Sequence, residues 1–185
     1  MTVGLYGGAF DPPHVGHVEL ARRAKRELDL DRLVVVVTAR PGHKQVETPA
    51  EARLELARAA FPDDDVVLDS HPRTVDMLRA HPEWNDAVFL VGADQFCDFL
   101  SWKEPDEVLR RVRLGVATRP GFPRDRLERV LARLENAERV RFFDIEPTPV
   151  ASRELRAKLE EGADVAADVP PAVAEIIRRD GLYRR

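Results

Sequence analysis

Gly7-Gly8-Ala9-Phe10-Asp11-Pro12-Pro13-His14-Val15-Gly16-His17 joins a short apolar segment, Thr2 to Tyr6, to an amphipathic one, Val18 to Leu28. The first segment reads as a strand and the second as a helix. Val18, Ala21 and Leu28 share one helical face, with Leu20 and Ala24 beside it, while Glu19, Arg22, Arg23 and Arg26 stay wet. Gly7-Gly8 reads as the turn that ends the strand, because glycine lets a backbone bend tightly and approach a ligand closely. Pro12-Pro13 stiffens the loop that leads into the helix. A strand, a glycine turn and a helix start in this order form the first βα unit of a parallel sheet.

The rest of the chain repeats that alternation. Leu33-Val34-Val35-Val36-Val37 is a continuous apolar run, the mark of a strand buried on both faces. A loop from Arg40 to Gln45 comes next. Thr48-Pro49-Ala50-Glu51 then reads as a capping box with proline at the first helical position, opening a helix to about Ala60. Strands are expected at Val66 to Leu68, Ala87 to Val91, Leu114 to Ala117 and Val140 to Phe143. Helices are expected at Thr74 to Ala80, Arg126 to Leu134, Ser152 to Glu161 and Ala172 to Arg179. The fold class is therefore α/β: a Rossmann-like doubly wound parallel sheet with a small C-terminal helical extension. No repeat or long linker divides it, so residues 1–185 read as one domain, with the helical part at about 150–185. In such sheets ligands collect beyond the carboxyl ends of the strands. Those ends are Gly7 to His17, Thr38 to Lys44, Ser70 to Thr74, Gly92 to Asp94 and Thr118 to Arg119.

The first of these ends carries the most chemistry. A helix starting near Val15 to His17 offers unpaired N–H groups and partial positive charge to an anion. His14 and His17, three residues apart, can face that same anion. Two imidazoles aimed at one phosphate stabilise the charge that builds on it during transfer. The segment is neither a Walker A loop nor the dinucleotide Gly-x-Gly-x-x-Gly pattern. A metal reading of the histidine pair wants a third ligand, and His43 is the only histidine near enough in sequence to supply it.

Bulk properties narrow the partners. A formal net charge of −4 gives no basic footprint for nucleic acid. No apolar run is long enough to span a bilayer, and no leader pattern opens the chain, so a soluble cytoplasmic protein is expected. The single cysteine, Cys97, excludes an internal disulfide and reads as a small apolar filler. A homo-oligomer is compatible with the sequence.

The Gly7–His17 segment resembles the signature of the HxGH nucleotidyltransferases. Further blocks narrow the resemblance to the bacterial nicotinate-nucleotide adenylyltransferases. Arg73-Thr74-Val75-Asp76-Met77-Leu78 is similar to that family's Tyr-Thr-Ile-Asp-Thr-Leu. Gly92-Ala93-Asp94 with Trp102 is similar to its Gly-Ala-Asp…Trp block, and Val150-Ala151-Ser152-Arg153-Glu154-Leu155-Arg156 to its Ile-Ser-Ser-Thr-x-Ile-Arg. The ending, Val169-Pro170 through Gly181-Leu182-Tyr183, is also similar, so the resemblance spans nearly the whole chain. It implies adenylyl transfer from ATP to nicotinate mononucleotide, giving deamido-NAD and pyrophosphate without a covalent enzyme intermediate. Mg²⁺ is expected mainly on the ATP phosphates.

By this resemblance His14, His17, Lys44 and Arg156 are the catalytic set. Gly7, Gly8, Ala9, Phe10, Gly92, Asp94 and Ser152 join His14, His17 and Arg156 in holding ATP, with Ser152 capping the helix that carries Arg156. Lys44, Thr74, Asp94 and Trp102 are expected around the mononucleotide. Trp102 lies against the pyridine, half exposed beside Ser101 and Lys103, and Thr74 near the nicotinate carboxylate. The chain departs from the pattern at Arg73, where the family has tyrosine, and at Met77, Ala151 and Arg153. Its second loop reads Arg40-Pro41-Gly42-His43-Lys44 rather than Asn-Pro-Pro-His-Lys. Alternatives are nicotinamide mononucleotide or phosphopantetheine as acceptor, or a non-catalytic nucleotide-binding module. An additional Arg73 would favour a carboxylate.

Overall fold

The computed structural model of the chain describes residues 1–41, 46 and 48–184. Six parallel strands form one sheet: β1 (Val3–Gly8), β2 (Arg32–Thr38), β3 (Asp65–Asp69), β4 (Val88–Gly92), β5 (Arg113–Thr118) and β6 (Val140–Asp144), in the order β3-β2-β1-β4-β5-β6. The order reverses between β1 and β4, as in a Rossmann-like sheet, and the reversal opens a crevice at their carboxyl ends.

The valine run of β2 explains why the sheet is covered on both sides. Val34 and Val36 pack into one apolar cluster with Leu5, Phe89, Val91 and Val116. Val35 and Val37 point the other way, into a second cluster with Tyr6, Val88 and Leu90. Successive side chains of a strand leave on opposite faces, so an unbroken apolar run requires two cores. Each fully buried valine contributes about 1.5–3 kcal/mol of transfer free energy.

Helices α1 (Val15–Glu27), α2 (Ala50–Ala60), α3 (Thr74–Ala80), α6 (Arg124–Leu131), α7 (Ser152–Glu160) and α8 (Pro171–Asp180) fall where the periodicity puts them, within a few residues. Ala21 and Ala24 are the buried face of α1, as expected. Leu155, Val165, Val169, Val173 and Ile177 of the C-terminal helical part join the second cluster. That part therefore packs on the sheet rather than beside it. Gly181, at φ 63°, ends α8 in the left-handed conformation that glycine adopts without strain. Among the described residues no helix is long and apolar enough to cross a membrane.

Two readings are corrected. Gly7 and Gly8 do not turn the chain; they extend β1, opposite Val36 and Val37. The turn comes after them. The residue at the cap of α2 is Pro49 rather than Thr48, and no side chain caps it. The short helices α4 (Ala93–Cys97) and α5 (Pro105–Arg111) lie in a stretch for which the sequence pattern gave no element. With five and seven residues, neither completes enough turns to set up a periodic pattern.

Candidate active site

At the end of β1 the chain passes through Ala9 to His14 before α1 begins. His14 caps that helix in an extended conformation, and the residue is only 8% exposed. The His17 ring lies against it, with centroids 3.7 Å apart and 29° between planes. His17 Nδ1 accepts the His14 backbone N–H at 3.2 Å. In a neutral ring this leaves the hydrogen on His17 Nε2, a donor. Burial lowers the His14 pKa to about 4, against a smaller opposing pull from Asp168, so His14 is neutral near pH 7. Its buried Nδ1 finds no hydrogen-bond partner among the described residues. Stacked rings hold their in-plane lone pairs side by side, which suits two contacts along one phosphate chain better than chelation of one metal ion.

Gly16 makes the stack fit: a Cβ there would sit 3.1 Å from the His14 ring. The amide at the start of α1 is partly engaged, because Val15 N–H donates to Asp168 O at 3.0 Å. Phe10 is turned into the core, 2% exposed, edge-on to Tyr6, Phe61 and His17. Only its backbone can meet a ligand.

The loop is held from behind by side chains distant in sequence. Arg156 Nη1 donates to Asp11 O at 2.6 Å and lies 3.8 Å from Asp11 Oδ2. Tyr183 Oη donates to the buried Asp11 carboxylate at 2.8 Å. Burial, with Asp11 beside it, pushes the Tyr183 phenol well above its ordinary pKa, so it stays a donor. Ser152 Oγ donates to Pro12 O at 2.9 Å. Ser152 is thus not the cap of α7; Ala151 occupies that position, and the hydroxyl is engaged by the motif loop.

Arg53 was not anticipated. It is 1% exposed and donates from Nε to Thr48 O (3.1 Å), from Nη1 to Ala9 O (2.9 Å) and Thr38 O (2.8 Å), and from Nη2 to Ala39 O (2.9 Å). One guanidinium therefore ties the loops after β1 and β2 to the start of α2. A signal for it existed: Arg53 shares a helical face with Leu56, Ala57 and Ala60, at spacings of three, four and seven.

A cavity of about 360 Å³ opens between the glycines of β1 and the start of α3. Gly7, Gly8, Ala9, Thr74 and Trp102 all line it, so these expected residues meet in one space. A Cβ on Gly7 would stand 3.1 Å from the Phe89 ring at its wall. Trp102 is half-buried, as expected, edge-on to Phe99 and Phe89. Thr74 is the first residue of α3, whose cap is Arg73. Asp69 and His71, which also line the cavity, were missed. Asp69 is buried, accepts the His71 backbone N–H at 2.9 Å, and lies 2.7 Å from His71 Nδ1. Their place at the carboxyl end of β3, Asp69 as its last residue and His71 two residues on, was the available signal.

Two expected residues stand apart. Asp94, at the start of α4, is 72% exposed and 4.0 Å from Arg119 Nη2; it does not line the cavity. Gly92 N–H donates to Gln95 Oε1 at 3.2 Å, with open space where a Cβ would stand. Lys44 and His43 lie outside the described residues.

A stacked histidine pair thus stands at the reversal of a parallel sheet, beside a cavity walled by glycine and tryptophan. Residues 5–172 match the Cytidylyltransferase-like family. A Rubrobacter xylanophilus protein named "Probable nicotinate-nucleotide adenylyltransferase" is 38% identical over 200 residues, covering 100% of this chain and 92% of that protein. A Thermus thermophilus protein of the same name is 36% identical over 196 residues, with both chains fully covered. The structure of Plasmodium falciparum nicotinic acid mononucleotide adenylyltransferase complexed with NaAD shares the fold, at TM-score 0.73 and 20% identity, covering 98% of this chain and 97% of that one. The chain belongs to the nicotinate-nucleotide adenylyltransferase family and is an enzyme.

Proposed function

We propose that the chain transfers the adenylyl group of the magnesium complex of ATP to nicotinate mononucleotide. A 5′-phosphate oxygen of the mononucleotide attacks the α-phosphorus of ATP in line. A new P–O bond forms, the bond to the β-phosphate bridging oxygen breaks, and that electron pair leaves with pyrophosphate. The other product is deamido-NAD. The observation that carries this reading is the His14–His17 stack, with His14 buried, at the switch point of the sheet.

His17 Nε2 supplies a hydrogen bond to the phosphate whose charge grows in the transition state, and His14 packs the ring into place and meets the neighbouring phosphate. Both are held before substrate arrives, so little reorganisation is needed during the reaction. Arg156 and Lys44 contribute positive charge to the phosphates. Ser152 acts by fixing the motif loop. Gly92 and Asp94 border the adenylate side. Thr74 and Trp102 receive the mononucleotide, with the indole against the pyridine. The names borne by the relatives support nicotinate mononucleotide as the acceptor.

The test is pyrophosphate release from magnesium ATP with nicotinate mononucleotide, nicotinamide mononucleotide and phosphopantetheine in parallel. The highest kcat/KM is expected with nicotinate mononucleotide. Release with none of the three, or a clear preference for phosphopantetheine, rejects the reading.

A further inference from the structure

The cavity beside Trp102 has an uneven charge inventory. Its cationic or ionisable basic residues among the described ones are His71, Arg73 and Lys103. Lys103 is already paired, because its Nζ donates to both oxygens of Asp76, at 2.8 and 3.0 Å. His71 is held through Nδ1 by the buried Asp69, whose second oxygen takes the His71 backbone N–H. Asp69 is thereby engaged too, and the other carboxylate that lines the cavity, Asp98, is exposed. Arg73 is exposed and forms no ion pair among the described residues. It is a permanent cation on the cavity wall with its donors uncommitted.

Position decides which part of a ligand Arg73 meets. It directly precedes α3, the helix whose Asp76 is bound to Lys103, the neighbour of Trp102. Arg73 therefore lies on the α3 side of the cavity with Thr74 and Lys103, away in sequence from the histidine pair, which is not among the residues that line it.

We infer that Arg73 is a specificity-determining residue that recognises the carboxylate of the pyridine ring and selects the acid over the amide mononucleotide. This rests on the adenylyl-transfer reading above. A guanidinium forks onto a carboxylate through two parallel N–H bonds, whereas a carboxamide offers one acceptor oxygen and no charge. The same contact therefore discriminates between two ligands that are otherwise alike in shape.

The experiment compares wild type, Arg73→Gln and Arg73→Lys with nicotinate mononucleotide and nicotinamide mononucleotide at saturating magnesium ATP. Direct binding of each mononucleotide is measured by calorimetry as a readout separate from turnover. Arg73→Gln is expected to lower kcat/KM and affinity for the acid about 10- to 100-fold, the loss expected for a charge-assisted pair, while changing the amide less than about threefold. Arg73→Lys recovers part of the loss, as charge without the fork. An equal fall for both ligands would mean that Arg73 holds the shared phosphate or the fold, and would overturn the inference. So would an unchanged acid-to-amide ratio. If the wild type released no pyrophosphate with either mononucleotide, the underlying reading would fail, an outcome separate from any effect of the variants.

Discussion

Replacing Arg53 with methionine removes a group that joins the loops after β1 and β2. Methionine keeps most of the buried volume, so the change isolates the hydrogen bonds. Four backbone carbonyls, of Thr48, Ala9, Thr38 and Ala39, lose their donor. A hydrogen bond from a charged donor contributes about 1.5–3 kcal/mol, so four of them set a generous upper limit. Against this, the guanidinium carries a desolvation cost of several kcal/mol that methionine avoids. Burial also lowers the Arg53 pKa, with Asp11 opposing, which is the same cost seen from the proton's side. The expected net loss is about 3–5 kcal/mol, close to what breaking a buried charged network costs elsewhere. In a chain of this size that lowers Tm by roughly 6–20 °C. Lysine at this position should recover less than half, because one ammonium cannot reach carbonyls from three segments. Urea unfolding gives the free energy, and turnover of the folded fraction gives the functional effect, expected to fall at least tenfold as the loops lose their common anchor. A loss below about 1 kcal/mol with full turnover would refute the claim that Arg53 organises the site.

The geometry sets three other outcomes. His17→Ala should lower kcat at least about a hundredfold with Tm nearly unchanged, as for loss of one preorganised donor, and near-normal turnover would remove His17 from the mechanism. Trp102→Ala should raise KM for the mononucleotide at least about tenfold and KM for ATP less than threefold, since the indole is assigned to the pyridine of the former. The third concerns pH. The His14 pKa is lowered to about 4 in the folded chain from its ordinary 6.5, so between those values the unfolded chain binds the extra proton. His14 therefore makes stability rise with pH from about 4 to 6.5 and level off above, by at most about 3 kcal/mol. Urea unfolding of wild type and His14→Gln at pH 4.5 and 7 checks it; an identical pH dependence in the two would contradict the burial of a neutral ring.

The parts of the fold that could be read from sequence are those where a local pattern carries the cause. The β2 valines forecast a strand covered on both sides because β-branched side chains must be buried on each face. The histidine pair could be read because its members are three residues apart on one turn. Gly7-Gly8 misled because glycine serves two ends: it permits a turn, and it also bares the surface of a strand, which is what it does here. The Tyr183–Asp11 bond joins residues 172 apart, so no local pattern encodes it. The Asp69–His71 pair was overlooked because two ordinary polar residues at a strand end acquire meaning only when the cavity beside them is seen. Arg53 lies between these cases: its apolar helical face was visible, but four carbonyl partners from three segments were not.

Direct adenylyl transfer to a mononucleotide at the His14–His17 stack can be checked by following the α-phosphate itself. Wild-type protein is mixed with magnesium ATP labelled at the α-phosphorus and with nicotinate mononucleotide, then quenched in acid. Direct transfer places the label in deamido-NAD, one for each pyrophosphate released, with none on the protein at any time. Label trapped on the protein, or released as AMP, would contradict it.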